Sequence, residues 1–208
     1  VLFGDKPRAL AVTPDGSTVY AAVLHSGSQT VVIPEVLVTP NGGAASFPPG
    51  STPNQPETGL ILKFDGSGNW LDADGRDWSS FVPFDLPDRD VFAIDADSDP
   101  PVETGFATGV GSMLFNMAVN PATGDVYVTN QDARNHVRFE PVLRGHIAEQ
   151  RVSIISGSTP TAVHLNPHVN YSITPGPPSE RTDSLGMPLD LVFNAAGTRA
   201  WIAAFGSG

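Results

Sequence analysis

The sequence predicts an all-β fold built from one repeated antiparallel unit. Three observations lead there. A strand–turn–strand stretch is written three times. Gly (21) and Pro (20) make up about a fifth of the 208 residues, which implies many turns and few long helices. Hydrophobic residues reach 40%, enough to bury a substantial core.

The three stretches are "RALAVTPDGSTVYAAV" (Arg8 to Val23), "FNMAVNPATGDVYVTN" (Phe115 to Asn130) and "PLDLVFNAAGTRAWIAAF" (Pro188 to Phe205). In each, an apolar residue precedes an aromatic one by ten positions: Leu10 and Tyr20, Met117 and Tyr127, Leu191 and Trp201. Between them lies a turn with a glycine, Gly16, Gly124 or Gly197. Glycine takes positive φ without steric cost, so the hairpin can close. The flanks suit buried strands.

The copies stand 107 and then 74 residues apart, more than the ~40–45 residues of one propeller blade. Insertions account for the difference. "TPNGGAASFPPGSTPNQPETG" (Thr39 to Gly59) has no periodicity and reads as a loop. "GLILKFD" after it reads as a strand. "VFAID" and "PPVETGFATG" read as third and fourth strands after the first hairpin, and "RVSIIS" and "TAVHLN" do so after the second. Strands are therefore expected over Leu10–Val12, Val19–Val23, Val91–Asp95, Met117–Val119, Val126–Thr129, Val152–Ile155, Leu191–Phe193 and Trp201–Ala204. Four-stranded sheets repeated radially bury their apolar faces against one another. The expected architecture is a β-propeller of about three partial four-stranded antiparallel blades. The expected cores lie near 7–33, 91–140 and 151–208, with an insertion over 34–90.

Residues 127–130 spell Tyr-Val-Thr-Asn, and residues 7–20, 91–95 and 117–130 carry the surrounding pattern. The chain resembles the YVTN-repeat β-propellers. The third copy departs, with Asn194-Ala195 in place of x-Pro and Trp201 in place of Tyr. Longer stretches, "DLPDRDVFAIDADSDPPVETG" and "AVHLNPHVNY" among them, resemble large exported bacterial propeller proteins. The resemblance implies a periplasmic or extracellular location. Some such proteins carry haem c through a Cys-x-x-Cys-His motif. This chain has no Cys, so a redox role would need haem elsewhere in the full protein. Three blades cannot close a ring. Remaining blades of the same protein, or a partner chain, are expected to complete it.

The charge is -11, which disfavours phosphate backbones and anionic membranes. The absence of Cys removes disulfides, thiolate metal sites and cysteine nucleophiles. No apolar run reaches the ~18 residues of a membrane helix. "DADSDPPVE" sets Asp95, Asp97 and Asp99 at positions one, three and five, as calcium loops set hard oxygens. Pro100 stands where the loop glycine belongs, so a solvated acidic turn is the competing reading. Asp72 and Asp74 are a second candidate calcium pair, with the same competitor. His164 and His168 are four apart, but Pro167 argues against the helix that would make them converge. No "G-x-S-x-G" and no dinucleotide fingerprint is present.

The connections "HSGSQ" and "NQDARNH" both follow a second strand. They offer Gln29, Asp132, Arg134, Asn135 and His136, hydrogen-bonding groups without a nucleophile–base pair. Two readings stand: recognition of a polar ligand or partner protein, or side chains that cap the loop. The function expected is non-catalytic binding and scaffolding. The alternative is the propeller portion of a haem-dependent redox protein.

Overall fold

A computed structural model describes residues 2–43, 58–84, 87–137, 143–173 and 175–206. The chain divides into two compact units. The first combines Val1–Ser28, Asp88–Ala133 and Ala148–Gly208; the second combines Gln29–Pro87 and Arg134–Ile147.

The first unit begins with the hairpin β1 (Pro7–Val12) and β2 (Thr18–Val23). Its turn is closed by Thr13 N–H to the Thr18 carbonyl (3.0 Å) and Gly16 N–H to the Thr13 carbonyl (2.9 Å). Gly16 has φ +79°, the conformation that disfavours any side chain. Asp15 accepts hydrogen bonds from Thr13 and from Ser17, which fixes the turn. The hairpin recurs as β8 (Met113–Val119) with β9 (Val126–Ala133), and as β12 (Pro188–Phe193) with β13 (Ala200–Ala204). The same two turn bonds recur, with Gly124 donating to Asn120 and Gly197 to Asn194.

The first hairpin continues into β6 (Val91–Asp95) and β7 (Val102–Ala107), giving an antiparallel sheet in the order β1-β2-β6-β7. The second continues into β10 (Ala148–Ser156) and β11 (Thr159–His164), in the order β8-β9-β10-β11. The third sheet has two strands, β12 and β13. All eight expected strands are present, and the fold is all-β with antiparallel pairing.

The sheets meet through alternate residues. Ala22, Val91 and Ala107 of the first sheet share one buried cluster with Leu114, Met117, Val126, Val128 and Ile155 of the second; Ala9, Ala11 and Tyr20 pack against it. The second sheet turns Tyr127 toward the third, where it meets Phe193 edge-on at 4.8 Å. Asn116 Nδ2 donates to Asp190 Oδ1 (2.6 Å), and Asn120 Nδ2 to the Gly197 carbonyl (3.1 Å), across the same junction.

The second unit holds β3 (Thr30–Ile33), β4 (Leu60–Phe64) and β5 (Trp70–Leu71), in that order. Ile33, Leu60, Leu62 and Trp78 form its core, with Val38 of a one-turn helix, α1 (Glu35–Val38). Two expectations are corrected. The first repeat was expected to run to residue 33, but β3 pairs with β4 and not with β2. "NQD" was expected in a connection, but β9 extends through Ala133 because Ala148–Gln150 continue the ladder beside it. Most of the Pro/Gly-rich loop, 44–57, lies outside the described residues. No described helix is long and apolar enough to cross a membrane.

Candidate functional site

In the first unit, the link from β7 to β8 is gripped by polar side chains. Asp88 Oδ2 accepts Gly109 N–H (2.8 Å), and Asp90 Oδ2 accepts Val110 N–H (2.6 Å). The Ser26 hydroxyl donates to the Gly111 carbonyl, and Ser153 Oγ donates to the Val110 carbonyl (2.7 Å). Asn130 Nδ2 donates to Ser153 Oγ (3.0 Å) and to the Val128 carbonyl (2.9 Å). Three consecutive residues, Gly109 to Gly111, are thus held from both sheets. Gly111 must be glycine: a Cβ there would lie 2.4 Å from Asn130 Oδ1.

Local pairing sets these positions. Asp90 N–H donates to the Ala107 carbonyl and the Asp90 carbonyl accepts Val23 N–H, so Asp90 extends the ladder beyond β6. Its side chain is 0% exposed. Burial pushes its carboxyl up to about 9, and the negative Asp88 beside it adds to the shift. That shift favours the protonated form of Asp90 at neutral pH. A carboxyl so enclosed cannot meet a substrate. Its geometric role here is to hold the Val110 N–H.

Five residues were expected to form a recognition group. Asp132 lies in β9 and is engaged: Arg151 approaches it at 2.9 Å, with the two side chains 14% and 17% exposed, and Ser112 Oγ donates to it at 3.2 Å. Gln29, Arg134, Asn135 and His136 belong to the second unit. Gln29 has φ +51°, and its carbonyl accepts Phe64 N–H. Arg134 N–H donates to the Ile147 carbonyl (2.9 Å) and Nη1 to the His146 carbonyl (3.2 Å). Asn135 Nδ2 reaches Thr30 Oγ1 at 3.5 Å, which brings 134–137 beside the start of β3. Arg134 thus closes its own segment.

The candidate calcium ligands are placed as follows. Asp95 Oδ1 accepts Asp97 N–H (2.9 Å) and Oδ2 accepts Ser98 Oγ (2.6 Å), which lower its carboxyl below the ordinary value, Ser98 most. Asp97 and Asp99 are exposed. Asp72 is buried, and burial raises its carboxyl. The Trp78 indole N–H and Arg76 outweigh that, and the net shift is downward. Asp72 accepts Asp74 N–H, Arg76 N–H, Arg76 Nε and Trp78 Nε1. Four donors occupy its two oxygens, and Arg76 supplies a counter-charge at 2.7 Å. Asp74 is exposed. His168 Nε2 contacts the Glu180 carbonyl (3.1 Å) in the segment after β11. Ser184 Oγ donates to that same carbonyl and lies 3.4 Å from His168 Nε2.

The Asp88–Asp90 pair was missed, although "DRDV" places two acids just before a strand. Only burial and the approach of Gly109–Gly111 give them meaning, and neither shows in the sequence. Asn130 was read as a connection residue but is a buried bridge between β9 and β10.

No protein-family model matches the sequence, and no curated protein matches it. One solved structure, the hydrazine synthase of Kuenenia stuttgartiensis, is similar at 17% identity and a TM-score of 0.38. The match covers 95% of this chain and 61% of that one. A similarity so distant assigns neither a fold nor an activity.

Proposed function

We propose that the chain is a segment of a YVTN-type β-propeller in an exported protein, with a binding and scaffolding role and no catalysis of its own. One observation carries this reading: the sheets meet by the same rule each time. Tyr20 of the first hairpin packs toward the second sheet, and Tyr127, its counterpart, packs on Phe193 of the third. On the opposite faces, Met117 (4% exposed) is buried in the cluster it shares with the first sheet, and Leu191 (5%) is buried in β12, which lies against β8 and β9. A rule repeated in one direction is how blades stack around an axis.

Under this reading the rigid stack is the scaffold, and recognition belongs to the second unit, whose two segments leave the first between β2 and β6 and between β9 and β10. Gln29, Arg134, Asn135 and His136 all lie there. Neighbouring blades of the same protein or of a partner chain cover the remaining sheet faces.

The test compares two equivalent residues. Tyr127→Ala removes a side chain that packs between sheets and should cost about 2 kcal/mol in urea unfolding. Trp201→Ala changes the matching position on a face that is 55% exposed, and should cost less than about 0.5 kcal/mol. Equal costs would end the stacking reading.

A further inference from the structure

Within the first unit, the link between β11 and β12 borders a cleft of about 580 Å³, together with the start of β10 and the end of the third hairpin. That volume falls within the ~300–1,000 Å³ of small-molecule sites. The link is held in place by its own hydrogen bonds. Asn166 is buried and exchanges two bonds with Leu185: Nδ2 donates to its carbonyl (2.8 Å), and Oδ1 accepts its N–H (2.7 Å). The Glu180 carbonyl accepts the Ser184 hydroxyl, and Glu180 Oε2 accepts Asn170 N–H (3.0 Å). Met187 N–H donates to Gln150 Oε1 (2.9 Å). A cleft formed in advance loses little affinity to ordering. The repeat explains why the space is there. Gly186 and Gly206 occupy the positions of Ser112 and Asp132 in the second hairpin. There Ser112 Oγ donates to Asp132 Oδ1 (3.2 Å), so two side chains stand on the rim. In the third hairpin Gly206 N–H donates to the Gly186 carbonyl (2.8 Å), and bare backbone lines the cleft.

The lining selects the ligand. Its charged groups are Glu180 and Arg181, whose charges cancel, so neither an anion nor a cation is favoured. Among the described residues, Glu180 Oε1 and the Arg181 guanidinium have no hydrogen-bond partner. One accepts and the other donates. Tyr171 and Pro177 supply apolar wall beside them. A ligand that answers all of these is uncharged, carries groups that both donate and accept, and has an apolar C–H face. Adjacent hydroxyls on a sugar ring meet that description. We propose that this cleft binds an uncharged saccharide, with Glu180 and Arg181 bonding its hydroxyls and Tyr171 against its C–H face.

Saturation-transfer NMR of the 208-residue chain tests it. The probes are the methyl glycosides of glucose, galactose and mannose, with N-acetylglucosamine, cellobiose and chitobiose, each at about 5 mM. The expected result is transfer to the ring protons of at least one sugar, and weaker transfer to its uronic acid and amino-sugar counterparts. Arg181 is exposed, so Arg181→Ala should keep the melting temperature while weakening that sugar about tenfold. Gly186→Ser with Gly206→Asp writes the second hairpin's pair into the third and should abolish binding. Should that double variant fail to fold, Arg181→Ala decides. Three results overturn the proposal: no transfer to any of these sugars, binding unaltered in Arg181→Ala, or tighter binding of a charged counterpart.

Discussion

Asp90 gives the molecule a pH dependence whose sign can be worked out. An unfolded aspartate ionises near 3.8, whereas folded Asp90 holds its proton up to about 9. Between those values the folded chain binds one more proton, so stability falls as pH rises through that window and levels above it. Asp72 does the reverse: its lowered carboxyl stabilises the fold at neutral pH, and that contribution is lost as pH falls below about 4. Asp90→Asn keeps an acceptor for Val110 N–H and a donor toward Asp88, but never ionises. Its urea midpoint should change less between pH 5 and pH 9 than the wild-type midpoint, by roughly one proton's worth of slope. An unchanged slope would mean that Asp90 is ionised in the fold. Arg134 invites a second measurement. Its ties to the carbonyls of His146 and Ile147 suggest that Arg134→Ala costs about 1 kcal/mol by removing the Nη1 bond, read as a lowered melting temperature. Partner binding lost at an unchanged melting temperature would place Arg134 in recognition and not in holding its own segment.

At the scale of elements, the three turns look alike in sequence and differ in surroundings. Gly16 and Gly124 each have φ +79° with nothing within 4 Å of where a Cβ would stand. Gly197 has φ +66°, and its Cβ would lie 2.2 Å from Asn120 Oδ1 and 2.8 Å from Ala122 Cβ. Alanine at Gly16 or Gly124 should cost about 1–2 kcal/mol, the left-handed penalty alone. Alanine at Gly197 should cost more, because it also pushes the third hairpin off the second; guanidinium unfolding of the three variants ranks them. The hairpins were legible because their information is local: alternating apolar residues around a glycine turn. The outer strands were legible too, since they follow each hairpin in the same order. The end of β9 was not. "NQDA" has no strand character, and it is extended only because Ala148–Gln150, fifteen or more residues on, come back to pair with it. The surroundings of Asp72 were not legible for a similar reason, because Trp78 and Arg76 fold over it.

For the whole molecule, two cores imply two degrees of protection. Leu62 is fully buried among Ile33, Val38, Leu60 and Trp78 of the second unit. Leu62→Ala should cost the second unit about 2–5 kcal/mol. Amide exchange should quicken across β3 and β4 while β2, β6 and β8 keep their rates. Uniform loss of protection would show instead that the chain unfolds as one body. The place where the second unit departs has a further meaning. Val23 N–H bonds the Asp90 carbonyl directly, although residues 24–89 run between them. Chain that leaves and returns to one spot closes a loop whose entropic cost grows only logarithmically, about 0.6 kcal/mol per doubling of length. Evolution can therefore lengthen, shorten or exchange that excursion almost without thermodynamic resistance. The same seam is the natural splice point for grafting a foreign module into this scaffold.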